Sequence, residues 1–484
     1  MVQSKSIKLN FIMNAILTMS SFIFPLITFP YVSRVLLPVG TGKVSLATSV
    51  ISYFSMFAQL GVPTYGIRAC AKVRDNKEKL TKTVQEIFLI NLIMGMISYI
   101  AFFVMLFTVP KVNNEKELYL IISTTIFFNI IGMEWLYKAL EQYTYITIRS
   151  IIFKFVALIM MFILVHQQDD YVIYGAITII AAVGSNIFNF LNVHKYISLR
   201  PVGNYNIAQH MSPIMTFFAM TVASTIYTNL DIVMLGFMKT DVDVGYYNAA
   251  VRVKTILVSI VTSLGTVLLP RASYYIEQGL KEEFLKISKK AINFVALAAT
   301  PLMLYFMLFA KEGIYFLSGD AYTGAILPMK IIMPTLLFIG MSNILGIQML
   351  VPLGKEKIVL YSEIIGAIVD LIINIALIPQ LGATGAAIGT VVAELFVWIY
   401  QYIYMREYVQ EAYKEIRYVP ILIGLVLGSI ASLPIKMLEL SSFVTLLLSA
   451  IVFFGIYGVI LILAKEPLVL GVRDQLLSKI RKSH

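Results

Sequence analysis

The sequence predicts an all-α integral membrane protein with about fourteen transmembrane helices, and three observations carry that prediction. Hydrophobic residues make up 59% of the 484-residue chain and charged residues only 13%, about half the charged share of a soluble domain. Apolar runs such as 9–32, 87–109 and 442–464 are long enough to cross a hydrocarbon core of roughly 30 Å as helices. None of these runs alternates with period two, which argues against a barrel.

Reading apolar runs between charged or turn-rich breaks places spans at about 10–33, 44–67, 84–109, 118–140, 146–165, 172–194 and 211–236. The second seven fall at about 245–270, 290–309, 326–351, 358–379, 383–405, 418–435 and 442–464. The opening apolar run is too long for a secretory signal, and no small-residue cleavage site precedes the next polar stretch. Fourteen spans put both termini on one side.

The basic residues say which side. With the amino terminus in the cytoplasm, the inner side collects Lys5 and Lys8, the Arg68–Lys82 cluster, Lys138 and Arg149, the Arg271–Lys290 cluster, and the tail from Lys465 to Lys482. The outer side collects only Arg34, Lys43, Lys111, Lys116, Lys239, Lys311 and Lys436. This is the positive-inside asymmetry, so the net charge of +11 needs no nucleic-acid partner.

Cys70 stands alone, which excludes an internal disulfide and a cysteine metal cluster. The histidines, His166, His194, His210 and His484, are scattered near expected helix ends and are expected to be solvated or interfacial. The stretch "VGTGKVS" at 39–45 hints at a phosphate-binding loop, but Leu37 and Val44 stand where a Walker A motif needs Gly and Ser or Thr. It is expected to be an outer hairpin turn.

The chain also matches itself. "GKVSLA" from Gly42 falls on "GYYNAA" from Gly245, Arg68-Ala69 falls on Arg271-Ala272 at the same offset, and "YGAITIIAAV" from Tyr174 faces "TGAAIGTVVA" from Thr384. These matches suggest two six-helix lobes, 1–200 and 205–410, followed by two extra helices and a basic cytoplasmic tail over 411–484. Six spans per lobe make the repeats parallel, related by a pseudo-two-fold axis along the membrane normal, a symmetry found in alternating-access transporters.

The stretches "LLPVGTGKVSLATSVISYFSMFAQLGVPTYGIRACA", "TNLDIVMLGFMKTDVDVGYYNAAVRV" and "LLPRAS" resemble the polysaccharide-transporter branch of the exporter superfamily that also holds multidrug extruders and lipid II flippases. The resemblance covers nearly the whole chain. It implies a two-lobed, V-shaped protein of the bacterial cytoplasmic membrane, not an enzyme, with a cationic inner cavity. Such a protein flips an undecaprenyl-pyrophosphate-linked oligosaccharide from the inner to the outer leaflet, works as a monomer, and has a polysaccharide polymerase as a candidate partner. A lipid II flippase and a multidrug or cation antiporter of the same fold are the rival readings. The antiporter would want an acidic cavity. A membrane-bound polymerase or glycosyltransferase would need a large catalytic loop that this chain lacks.

Charges inside the spans are the candidate site, because each costs at least ~2.5–3.5 kcal/mol at the bilayer centre unless it meets a partner or water. The cations are Lys154, Arg252, Lys254 and Lys330, and the acids are Glu134, Asp231, Glu363, Asp370 and Glu394. Arg252 lies about 10 Å deep in span eight. Lys254 is turned about 200° from it, so the two cannot share one cavity. Lys330 is expected to snorkel to the outer boundary.

Arg34, Arg68 and Arg271 stand at span ends, where topology alone accounts for them. A functional reading places Arg68 and Arg271, equivalent in the two lobes, at the cytoplasmic mouth, where guanidinium groups meet an incoming pyrophosphate. Lys154 and Arg252 would continue that path. Asp231 is a partner for Arg252, and Glu134 for Lys138 at i,i+4. Asp370 and Glu394 leave two readings open, pairing with basic groups or carrying a coupling H+ or Na+. No cofactor or metal is implied. Pro25 and Pro30 mark span one as the moving gate, and the glycines of 382–389 are expected to allow close helix contact.

Overall fold

The computed structural model describes residues 7–471 and 473–474. Lys5, Lys479, Arg481, Lys482 and His484 lie outside the described residues, as does the side chain of Lys8. The described residues form helices joined by turns and short irregular connections, without a strand. It divides into two compact units, Met1–Gly245 and Tyr246–His484.

In chain order the helices are α1 (Ile7–Gln59), α2 (Val62–Val73), α3 (Lys77–Thr108), α4 (Pro110–Asn114), α5 (Lys116–Gly132), α6 (Glu134–Ala139), α7 (Tyr143–Leu164), α8 (Tyr171–Ile179), α9 (Asn186–Asn192) and α10 (Ala208–Met238). They continue with α11 (Asp241–Glu277), α12 (Lys281–Leu308), α13 (Ala310–Ser318), α14 (Ile326–Ile332), α15 (Thr335–Ser342), α16 (Glu356–Leu381), α17 (Ala383–Glu415), α18 (Tyr418–Ser432) and α19 (Ser442–Leu463).

Among the described residues, eleven stretches are long and apolar enough to span a membrane, and two bent pairs raise the number to 13. One of the eleven, Ile12–Val73, has 62 residues, about 93 Å of helix and far more than one crossing needs. It breaks at Leu37, whose φ of 57° and ψ of 179° leave the helical region. Split there, each part is still long enough for a crossing of its own.

That break corrects the expected hairpin at 39–45. The backbone leaves helical geometry at Leu37 instead, and Val39–Ser45 is already helical. Pro38 explains the shift: its fixed φ and missing N–H suit the first turn of a new helix. Gly40 and Gly42 are there for close approach rather than for a turn. A Cβ on Gly42 would stand 1.8 Å from the Asp241 carbonyl oxygen, and one on Gly245 would stand 2.1 Å from that of Pro38.

Proline also accounts for a broken span. Segments Asp320–Ile332 and Thr335–Leu350 meet at 47°, with Pro334 in the break removing a helical N–H.

In the first unit, one core cluster joins α2, α3, α6 and α10 through Val62, Cys70, Val84, Ile87, Leu136 and Ile214. A second joins α1, α7 and α8 through Val32, Leu36, Ala157, Met161 and Ile177. In the second unit, α16 ends at Gly382 (φ 55°) and α17 folds back against it. Gly385 lets α17 reach the Leu377 backbone, where a Cβ would lie 2.6 Å from its carbonyl carbon. The last two helices are tied into this unit: Tyr305 of α12 donates to the Leu446 carbonyl (2.7 Å), and Tyr457 of α19 to that of Leu297 (3.0 Å).

Candidate functional site

The expected site cations separate into surface and part-buried groups. Arg34, Arg68 and Arg271 are exposed, while Lys154, Arg252 and Lys254 are half-buried and Lys330 is exposed. Arg34 donates to the Pro30 carbonyl one turn back. Arg68 lies on α2 three residues from Tyr65, and Arg271 lies on α11 just beyond Pro270.

Lys154 stands in the middle of α7, where its ammonium donates to Ser20 Oγ at 2.8 Å and Ser21 Oγ at 2.9 Å on α1. It makes no ion pair among the described residues. An apolar hollow of about 370 Å³ opens beside it, walled by Ile16, Ile23, Ile27, Phe155 and Leu158.

The acids are placed as follows. Glu134 pairs with Lys138 at 2.8 Å across one helical turn, as its spacing predicts, and also reaches Arg149 at 3.4 Å. Asp231 is buried on α10. Asp370 and Glu394 are buried on the facing sides of α16 and α17. There Asp370 and Asn374 close over Gly389, and Thr390 meets Tyr247 Oη at 2.8 Å.

Two expectations need correction. Arg149 was assigned to a cytoplasmic loop. It is buried on α7 at 6% exposure, donating to the Ser185 carbonyl (2.8 Å) and Asn186 Oδ1 (3.2 Å). Its position three residues inside an expected span was the signal, since a charge there must find partners. His210, expected to be solvated or interfacial, is 5% exposed. One ring nitrogen contacts Glu86 Oε2 at 2.8 Å and the other Tyr65 Oη at 2.6 Å. Glu86, 1% exposed, also accepts from Gln209 and from the Asn206 backbone N–H. A buried carboxylate needs such donors, and here they pin the start of α10 to α2 and α3.

Outside the spans, Arg74 meets Glu141 at 2.7 Å, a hydrogen bond that holds the guanidinium above its ordinary pKa. Toward the expected outer end, three lysines are paired: Lys43 with Glu115 (2.6 Å), Lys111 with Asp241 (3.0 Å) and Lys436 with Glu312 (3.4 Å).

A cavity of about 340 Å³ lies within the first unit between α1, α5 and α10. Its α1 wall carries Thr48, Ser52, Ser55 and Gln59, its α5 wall Thr125 and Asn129, and its α10 wall Thr221, Thr225 and Asn229. No charged residue is among its lining residues. The sequence held the signal, because polar residues at intervals of three and four draw one stripe down each apolar helix.

The comparisons with known proteins bear on this arrangement. Residues 7–276 match the family described as polysaccharide biosynthesis protein. The chain belongs to that family. It falls in the polysaccharide-transporter branch its motifs resemble. A putative O-antigen transporter of Escherichia coli is 25% identical over 385 residues, covering 79% of this chain and 92% of the relative. A probable low-salt glycan biosynthesis flippase of Haloferax volcanii is 22% identical over 206 residues, 43% of this chain and 42% of the relative. In fold, the chain is similar to a lipid II flippase in an inward closed conformation, with TM-score 0.71 and 16% identity over 93% of this chain and 98% of that one. It is also similar to an inward-facing multidrug transporter, with TM-score 0.61 and 13% identity over 84% of this chain and 99% of that one. The family member described here is thus a multi-pass helical membrane protein with the fold of these exporters.

Proposed function

We propose that this protein is a flippase that carries an undecaprenyl-pyrophosphate-linked oligosaccharide from the cytoplasmic to the outer leaflet of a bacterial cytoplasmic membrane by alternating access. Both termini lie in the cytoplasm, in keeping with the distribution of Lys and Arg. The family membership and the O-antigen transporter relative support the substrate class. Supporting evidence within the chain comes chiefly from Lys154, a mid-span ammonium held by two neutral hydroxyls rather than by an acid. A cation so held can accept a phosphate without leaving a carboxylate stranded, whereas a site for cationic drugs would want the opposite charge.

In this reading Arg68 and Arg271 receive the pyrophosphate at the inner side, Arg34, Lys154 and Arg252 serve it along its path, and Asp370 or Glu394 exchanges the coupling H+ or Na+. The test replaces Lys154 or Arg252 in cells that depend on this protein for surface polysaccharide. Lys154→Met and Arg252→Ala should abolish the surface polymer and leave lipid-linked repeat units facing the cytoplasm, with Lys154→Arg retaining part of the activity. Normal surface polymer in stably expressed variants of both positions would remove them from the mechanism.

A further inference from the structure

The uncharged cavity of the first unit has a lining unlike that of the cation positions, and its chemistry is specific. Ser52 donates its hydroxyl proton to the Ser49 carbonyl at 2.7 Å and Thr221 donates to that of Phe217 at 2.9 Å. Their oxygens are therefore left as acceptors. Gln59 and Asn129 each point an amide N–H at Ser55 Oγ, at 2.9 and 3.4 Å, which leaves their amide oxygens as further acceptors. Donors are present too. The Thr125 hydroxyl is buried without a partner among the described residues, and an unmet buried hydroxyl is costly unless something visits it. Ile51 and Ile122, both buried, supply an apolar floor.

Different ligands demand different linings. A cation wants a carboxylate, a pyrophosphate wants guanidinium or ammonium groups, and a polyprenyl chain wants no amides. Interleaved neutral donors and acceptors over an aliphatic floor suit a polyhydroxylated ring, which presents hydroxyls at its edge and C–H groups on its face. The volume of about 340 Å³ equals the liquid share of roughly eleven waters, room for about one monosaccharide unit.

We infer that the cavity between α1, α5 and α10 is a subsite for a neutral sugar of the lipid-linked oligosaccharide, bound apart from the cations that take the pyrophosphate. The inference rests on the flippase reading and adds to it that the sugar itself is recognised.

The experiment measures binding of two probes to the purified full-length protein: undecaprenyl pyrophosphate alone, and the lipid-linked repeat unit extracted from polymerase-deficient cells of the source strain. Wild type should bind the sugar-bearing lipid more tightly. Thr125→Val keeps the side-chain shape and removes the unmet hydroxyl, so folding is preserved. It should weaken the sugar-bearing probe by about threefold to tenfold, the worth of one hydrogen bond, and leave the bare lipid unchanged. Asn129→Leu should do the same. Equal binding of both probes by wild type, or equal weakening of both by the variants, overturns the subsite while leaving a pyrophosphate-binding flippase intact. Failure of wild type to bind either probe overturns both readings.

Discussion

Gly42 and Gly245 face one another reciprocally: each lacks the Cβ that would strike the backbone beside its partner. Gly42 lies against the Asp241 carbonyl and the Gly245 nitrogen, and Gly245 lies against the Pro38 carbonyl. In the repeat alignment Asp241 is the counterpart of Pro38, as Gly245 is of Gly42. Gly42→Ala and Gly245→Ala should each destabilise the protein by about 1–3 kcal/mol or more through overpacking against rigid backbone. Gly455→Ala, where a Cβ meets nothing within 4 Å, should be neutral or slightly stabilising. Thermal unfolding in detergent separates the three, and a Gly42→Ala variant as stable as Gly455→Ala would contradict the close approach.

The buried Arg149 makes an asymmetric prediction. Glu134 is partly exposed and keeps Lys138, so Arg149→Met leaves an acid that is still solvated and paired. Glu134→Ala instead leaves a buried guanidinium with only its Ser185 and Asn186 acceptors, a loss of about 1–2 kcal/mol once the exposure of the acid is discounted. Unfolding by denaturant should rank Glu134→Ala as the more damaging change.

Glu86 holds the start of α10 through Asn206, Gln209 and His210. Glu86→Ala would leave the buried His210 ring without its carboxylate, at about 1–3 kcal/mol, while the exposed Asn206 and Gln209 turn to water. Backbone amide exchange at Asn206 should accelerate by at least tenfold, and an unchanged rate would show that the carboxylate does not anchor this helix.

Lys43 and Glu115 are each about one-fifth exposed at a distance of 2.6 Å. A double-mutant cycle on unfolding should give a coupling of about 1 kcal/mol that shrinks as salt is raised. The charge-reversed pair Lys43→Glu with Glu115→Lys should recover most of the stability lost by either reversal alone.

Hydropathy and charge asymmetry made the spans legible, because lipid leaves a chain few options besides apolar helices. The repeat was visible at Gly42 and Gly245, although its purpose was hidden: a glycine-rich stretch beside a proline looks like a turn until the carbonyl it must approach is known. Arg149 and His210 were misplaced because burial depends on partners, Ser185 and Glu86, that lie far off in the chain. The polar stripes at Ser55–Gln59 and Thr125–Asn129 were written in plain helical periodicity. They carry no charge, and a neutral stripe on an apolar helix stands out from lipid-facing sequence only once the cavity it lines is known.

The two serines that cradle Lys154 decide how readily its charge changes hands. An ammonium locked to a carboxylate must first be pried loose, and the discarded anion would then repel an arriving phosphate. The serine hydroxyls already donate to the Leu17 carbonyl and lend the ammonium only neutral lone pairs, so the lysine rests in a reversible parking place and lets its cargo go as easily as it takes it up.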